Sequence, residues 1–552
     1  MNTKIMPPLA LMPFLLFFFN SVSSQELVLI GGALHTCSSY SKKHCQVNTY
    51  FNQNAHASRW FQIDKEHLKI LSERWPDEAQ IPLPLVKTAL NQLPQSQSLG
   101  YSHFLQLLQE QPSRLDKTLN DELWAILLDT LEVANVNKQG KRNKELVKAM
   151  QTKSEGSREI FTFLSQRIKN TKKPSYLAIT ASSKDPYEAA DFYASLLNDY
   201  NLQGEWLALT PALAMAISND TCEHLNEYRK VFTQSNSRDR VYPDLVAQEF
   251  STCKRGIAAL KQKIREVDAV FFNGGDQSLT KQVLFDEENN PFPWLEDILS
   301  REVLIGTSAG TAIQSGGINV FGPVPMITNG TSLSALEYGA FAKIPPVDTC
   351  AEYNRCNAEI NNQLTYDQHG GLGSFTLGVL DTHFSERSRT LRLATLLRHS
   401  KQKFGFGVDE TTALVVSKNS EKTQLEVIGD HGVVILEQQT ANTFAYHYLH
   451  SGDRAIFANN ELETIEFAKQ PTSTYIKTTY GEPSLFERNG FKHWTQKSCN
   501  QTLETQKLAI NERISITAKH TDSTQCVRSG NGVYSISGLV VEITSTLKKS
   551  MN

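Results

Sequence analysis

The feature that most constrains the fold is a recurring one. Short apolar runs stop at glycine or polar residues and are separated by stretches of helical periodicity. Glu26-Leu-Val-Leu-Ile-Gly-Gly32 opens the series, and residues 176–180, 205–209, 269–272, 303–305 and 376–380 continue it. Between them, residues 187–197 and 257–265 place apolar side chains at helical spacing. Strands this short and apolar, alternating with helices, belong in a parallel sheet covered on both faces. In such sheets ligands sit beyond the carboxyl ends of the strands. Gly31-Gly32 is such an end, and a strand that stops at two glycines often brings backbone close to another group.

Two regions break this rhythm. Residues 56–173 contain amphipathic stretches at 121–131 and 159–168, with Pro82, Pro84 and Pro94 interrupting the early part. They read as a helical insertion after the first strand. Within it Lys138, Lys141, Arg142, Lys144, Lys148 and Lys153 read as a solvated helix face. After Phe406 strands crowd together, at 412–416 and 425–428. The last stretch ends in a strong β segment at 534–543 and reads as a small β-rich extension.

The chain has 552 residues, 40% of them hydrophobic and 20% charged, with a net charge of −3. It is too apolar for a disordered tail, and it lacks the basic excess of a nucleic-acid binder. Lys4 precedes a nearly unbroken apolar run at 6–19, followed by small residues Val22 and Ser24. That is the order of a signal peptide, and the run is shorter than the ~20 residues of a spanning helix. The expected mature chain starts at Gln25 and is secreted or periplasmic, with no stable membrane anchor. The organisation predicted is a signal peptide at 1–24, a catalytic α/β domain at 25–456 interrupted at about 56–173, and an extension at 457–552. Eight cysteines in an oxidising compartment suggest disulfides, in the sequence-local couples 37/45, 222/253, 350/356 and 499/526. None has the spacing of a zinc site, and no His-Glu-x-x-His pair is present, so no metal or other cofactor is expected.

Three segments carry the chemistry. Gly306-Thr-Ser-Ala-Gly310 follows a strand and precedes a plausible helix start, which is the setting of a nucleophile elbow at Ser308. The Ala309 N–H would be one oxyanion donor. A serine-capped turn or a phosphate-binding loop would read the same way from the pentapeptide alone. Phe271-Phe-Asn-Gly-Gly-Asp-Gln277 ends a second strand; Gly275 is the candidate second donor and Gln277 a candidate substrate contact. In Asp381-Thr-His-Phe384, His383 is available as a general base, and Arg387, Arg389 and Arg392 follow. Guanidinium groups so close together suit carboxylate recognition.

As a set these segments resemble the cyanophycinase and peptidase E family of serine peptidases, and lie closer to the exported cyanophycinase type. Gly405-Phe-Gly-Val-Asp-Glu-Thr-Thr-Ala413 and Tyr446-His-Tyr-Leu-His-Ser-Gly-Asp453 resemble further family segments. The resemblance covers residues 26–32 and about 174–456. It implies a flavodoxin-like sandwich with helices on both faces, Ser308 as nucleophile, His383 as base, and Asp381 with the arginines at the substrate. Thr382 departs from the family's Gln. The family's acidic residue is replaced by Met326. A chain order of Ser, acid, His leaves Glu337, Asp348, Glu352, Glu359 and Asp367, of which Glu337 is preferred. The activity implied is exported exopeptidase hydrolysis of cyanophycin, an arginine-bearing polyaspartate, to β-Asp-Arg dipeptides. The alternatives are an exported Asp-specific or isoaspartyl dipeptidase and a non-catalytic carboxylate-binding protein. A homodimer is compatible with all three.

Overall fold

The computed structural model describes residues 25–52, 55–79, 81–233, 237–343, 362–419, 421–468, 484–501, 504–528 and 532–545. The expected signal peptide at 1–24 and the Cys350/Cys356 couple lie outside the described residues. The other three cysteine couples form disulfides as expected, Cys37–Cys45, Cys222–Cys253 and Cys499–Cys526. No described helix is long and apolar enough to cross a membrane.

Five of the six predicted strands form a parallel set, β1 (Glu26–Ile30), β2 (Ser175–Ile179), β3 (Gln203–Trp206), β4 (Ala269–Phe272) and β5 (Val303–Thr307), whereas the run at 376–380 is strand only from Val379 and lies in a second sheet. The five lie in the order β1-β5-β4-β2-β3. Their alternation divides two cores. Leu27, Leu29, Ile179 and Phe272 face one, while Val28, Ile30, Ala178 and Phe271 face the other. Helices cover both faces. The helix α1 (Glu155–Lys169), started by a Ser154 side-chain cap, brings Ile160, Phe161, Leu164 and Ile168 to the second core. The helix α2 (Pro243–Arg265) brings Leu260 and Ile264 to the first.

Read from the other edge, β3-β2-β4-β5 follow the places 2-1-3-4 of the flavodoxin order 2-1-3-4-5, and the N-terminal strand β1 takes the fifth place. The sheet is also mixed. Later in the chain come β6 (Val379–Thr382), β7 (Phe404–Val408), β8 (Thr412–Lys418), β9 (Lys422–Gly429), β10 (Gly432–Gln438), β11 (Thr443–His450), β12 (Arg454–Ala458) and β13 (Glu461–Glu466). Of these, β8, β9, β12 and β13 extend the first sheet beyond β1, with β8 antiparallel to β1.

The C-terminal stretch is not a separate module. Its strands β14 (Thr505–Asn511), β15 (Ile514–Lys519) and β16 (Tyr534–Ser545) join a second sheet in the order β6-β7-β10-β11-β16-β15-β14. Tyr446 and Tyr448 of β11, Leu539 and Val541 of β16, and Trp494 share one core. The strand β12 straddles the boundary expected at 457. The pairing of β11 with β16 spans about 90 residues of chain, so no local pattern announces it.

The insertion also differs from its reading. Helices at Lys65–Arg74, Leu83–Asn91, Tyr101–Glu110 and Asp121–Leu131 pack around Phe61, Leu90, Phe104 and Leu127, with a small three-stranded sheet. The stretch 155–169, placed inside it, is instead α1 of the main sheet. Residues 138–148 are not helical, and Arg142 is buried between Asp191 and Asp244.

Candidate active site

Ser308 lies between β5 and a short helix, Ala309–Ala312, with φ 54° and ψ −115°. A non-glycine residue at positive φ is strained and is held only where its surroundings fix it. Here the Ser308 N–H donates to Ile30 O at 2.9 Å. Gly310 is required by crowding, since a Cβ there would stand 2.1 Å from Phe272 O.

Ser308 Oγ lies 2.8 Å from His383 Nε2. His383 follows β6 at φ 46°, and its N–H donates to Gly31 O at 2.9 Å. The opposite ring nitrogen, Nδ1, lies 2.8 Å from Glu410 Oε1. Glu410 sits in the turn between β7 and β8. Gly32 packs on the imidazole: at φ 114°, an added Cβ would come within 2.4 Å of His383 Cε1. Burial, followed by the Arg387 and Arg389 charges, lowers the His383 pKa to about 4 against the raising effect of Glu410. Burial would raise the Glu410 carboxyl, but the hydrogen bond with His383 and the Arg488 charge hold it below its ordinary value. A neutral imidazole beside a carboxylate can take the serine proton and hold it.

Beside Ser308 opens a cavity of about 250 Å³, lined among others by Gly275, Gln277, Ala309, Arg387 and Arg389. Among the described residues, neither the Gly275 nor the Ala309 N–H donates to a partner. Both residues border the cavity beside Ser308.

No protein-family model matches the chain. Two curated proteins named cyanophycinase are similar to it. The one from Geminocystis herdmanii (strain PCC 6308) is 28% identical over 184 residues, 32% of this chain and 53% of that protein. The one from Nostoc sp. (strain PCC 7120 / SAG 25.82 / UTEX 2576) is 26% identical over 216 residues, 35% of this chain and 59% of that protein. The chain is thus similar to cyanophycinases over about a third of its length. It spans a little over half the length of the curated relatives it matches. A solved peptidase from an acI-B1 Actinobacterium covers 55% of this chain and 93% of its own, at 16% identity and a TM-score of 0.32, which is too slight to argue from.

Most of the expected site residues converge, but Glu337 does not join them, and Asp381 and Arg392 are bound to each other. Glu337 is not the acid beside His383; Glu410 holds that place. Met326, where the family acid was expected, is fully buried in the apolar core. Asp367 pairs with Lys281. Asp348, Glu352 and Glu359 lie outside the described residues.

The three arginines also divide. Arg392 is buried and clasps Asp381 with Nε at 2.8 Å and Nη2 at 2.5 Å. Asp381 is therefore enclosed as a brace, and these guanidinium charges hold its carboxyl ionised against burial. Arg389 donates to Thr382 O at 2.6 Å and approaches Asp381 at 3.4 Å. Burial and the Arg392 charge lower its pKa, which favours an added anion beside it. Arg387 is exposed, borders the cavity, and has no ion-pair partner among the described residues. Gln277 lines the cavity, and its Nε2 donates to Ile327 O at 2.5 Å. As for metals, Cys499, His520 and Cys526 lie close together, but the two sulfurs form a disulfide and offer no thiolate.

Proposed function

We propose that this chain is an exported serine peptidase of the cyanophycinase type, hydrolysing cyanophycin to β-Asp-Arg dipeptides. The observation that carries the reading is the relay Ser308–His383–Glu410, with both hydrogen bonds at 2.8 Å and the serine on a strained elbow. The similarity to named cyanophycinases supports a peptidase of that kind and suggests the substrate. The disulfides support an oxidising compartment.

In this mechanism Ser308 Oγ attacks the main-chain carbonyl while its proton passes to His383 Nε2. Glu410 holds the imidazole by Nδ1 and stabilises the imidazolium. The Gly275 and Ala309 N–H groups hold the oxyanion, and His383 returns the proton to the leaving amine. Water then releases the acyl group by the reverse sequence. Arg387 and Arg389 meet the free carboxylate of the substrate arginine, braced from below by Arg392 and Asp381.

The dipeptidase alternative retains support from the small volume of the cavity. The non-catalytic alternative rested on the acid missing at Met326, and Glu410 supplies that charge from another strand end. Two measurements test the proposal. A fluorophosphonate should label Ser308 in the wild-type protein, and mass spectrometry should find β-Asp-Arg released from insoluble cyanophycin. No labelling overturns the serine mechanism. Labelling with cleavage of Asp-dipeptides, but none of the polymer, selects the dipeptidase.

A further inference from the structure

The turn that carries Glu410 is held by a part of the chain far beyond it. Arg488 Nη2 reaches Glu410 Oε2 at 3.3 Å, on the carboxylate oxygen that His383 does not use. Lys492 Nζ lies 3.2 Å from Asp409 Oδ2, in a pair that is nearly excluded from solvent. Asp409 is fully buried, receives the Ser385 N–H at 2.9 Å, and lies 3.2 Å from the Tyr448 hydroxyl. Lys492 belongs to α3 (Gly490–Gln501). The turn before that helix docks on the loop after His383. The Asn489 N–H donates to Ser385 O at 2.8 Å, and the Gly490 N–H to Ser388 Oγ at 3.3 Å. The Ser388 hydroxyl donates to Glu487 O. One six-residue stretch of the C-terminal extension therefore touches both the base loop and the acid loop.

We propose that Arg488 and Lys492 are positioning residues for the acid of the relay, so that Glu410 is aligned with His383 only while the C-terminal segment is docked. The proposal rests on the serine-peptidase reading of Ser308 and His383. The two cations act differently. Lys492 neutralises a buried carboxylate whose position fixes the backbone from Asp409 into Glu410; without it Asp409 is an uncompensated buried charge that draws the turn toward water. Arg488 is largely exposed, so its pull on Glu410 is weakened by solvent, and its part is to occupy the free oxygen and limit rotation of the carboxylate. Neither residue touches the cavity.

The test uses the full chain and two readouts, kcat and KM for dipeptide release from soluble cyanophycin and the second-order rate of fluorophosphonate labelling. Arg488→Gln is expected to lower kcat and labelling by about two- to fivefold, the scale of an exposed ion pair, with KM and melting temperature unchanged. Arg488→Lys should restore most of the loss. Lys492→Met should lower kcat by about ten- to a hundredfold, the scale of a misplaced catalytic group. If that variant does not fold, the Arg488 pair decides. Wild-type kcat and labelling in Arg488→Gln overturn the proposal, as does equal impairment in Arg488→Lys, which would mean packing rather than charge. Ser308→Ala separates the two levels. Retained activity there defeats the serine mechanism itself, whereas loss there beside an unaffected Arg488→Gln defeats only the clamp.

Discussion

Ser308 rides on the first sheet, whereas His383 and Glu410 stand at the edge of the second, where β7 crosses back to β8. The two sheets find their strands in different ways. The five parallel strands are joined through covering helices and read as separate apolar runs, each with its own stop. The second sheet pairs strands across long gaps, β11 with β16 and β7 with β10, and takes its far half from the C-terminal extension. One half presents Ser308, the proposed nucleophile, from a local device, a strand, a turn and a helix start. The other holds His383 and Glu410, the proposed base and acid, at strand ends whose partners are distant in the chain. A relay built across such a seam depends on both.

The comparison breaks most decisively at Ser308. Ser308→Ala should lower dipeptide release by about 10⁶-fold. A variant that keeps more than a few per cent of activity would show that the first sheet does not carry the reacting atom.

The next test moves to the other side of the seam. Glu410→Gln keeps the shape but lets the amide donate toward Nδ1, which favours the wrong tautomer of His383; the expected loss in kcat is about 10⁴-fold. Glu337→Gln should stay within about twofold of wild type by the same assay. The reverse ranking would return the acid to the helix at Ser332–Tyr338.

The fate of the acid shows what the sequence made legible and what it did not. The elbow at 306–310, the Gly-Gly ends and the His383 segment are each contained in a handful of residues, so their chemistry can be read before any fold is known. Gly31-Gly32 even signalled a close approach, and the partner is the His383 ring. Glu410 lies inside the 405–413 segment, which resembles a family segment without being marked as carrying the acid. An assumed chain order of Ser, acid, His hid it, because order is a property of loops and not of geometry. The arginines could not be sorted from their spacing, since only packing places Arg392 on Asp381 and leaves Arg387 facing solvent. The extension was read as an appendage for the same reason: β16 carries its own alternation but nothing that names β11 as its neighbour.

The pH response gives a smaller effect and tests the burial of the base. A His with a pKa of about 4 is neutral throughout the physiological range, and protonation blocks proton acceptance only as pH falls through that value. The labelling rate of Ser308 should therefore stay flat from pH 8 to about 5 and fall below it. An exposed imidazole near 6.5 would already have lost about thirtyfold at pH 5. A limb near 6.5 would mean that His383 is wetter than its contacts with Gly32 and Ser308 imply.

The last comparison sets one disulfide against another. Cys222–Cys253 closes a separation of 31 residues among the helices over the first sheet, and Cys499–Cys526 closes 27 residues against the second. Loops of such similar length restrict the unfolded chain almost equally, so replacing either pair by serine should remove about 2–4 kcal/mol of stability. Their effects on activity should differ. Cys499 lies on the same helix as Lys492, whose ammonium holds Asp409 beside the acid, while Cys222 and Cys253 border neither the cavity nor the relay. At a temperature where all variants are folded, Cys499→Ser with Cys526→Ser should lower the labelling rate by about twofold or more, and Cys222→Ser with Cys253→Ser should leave it unchanged. Thermal denaturation measures the first quantity and fluorophosphonate kinetics the second. Equal losses of stability with unequal losses of rate would place the dependence of the relay on the second sheet. If both pairs leave the rate untouched, the extension stabilises the fold without reaching the acid, and the seam between the sheets is mechanically quieter than its contacts suggest.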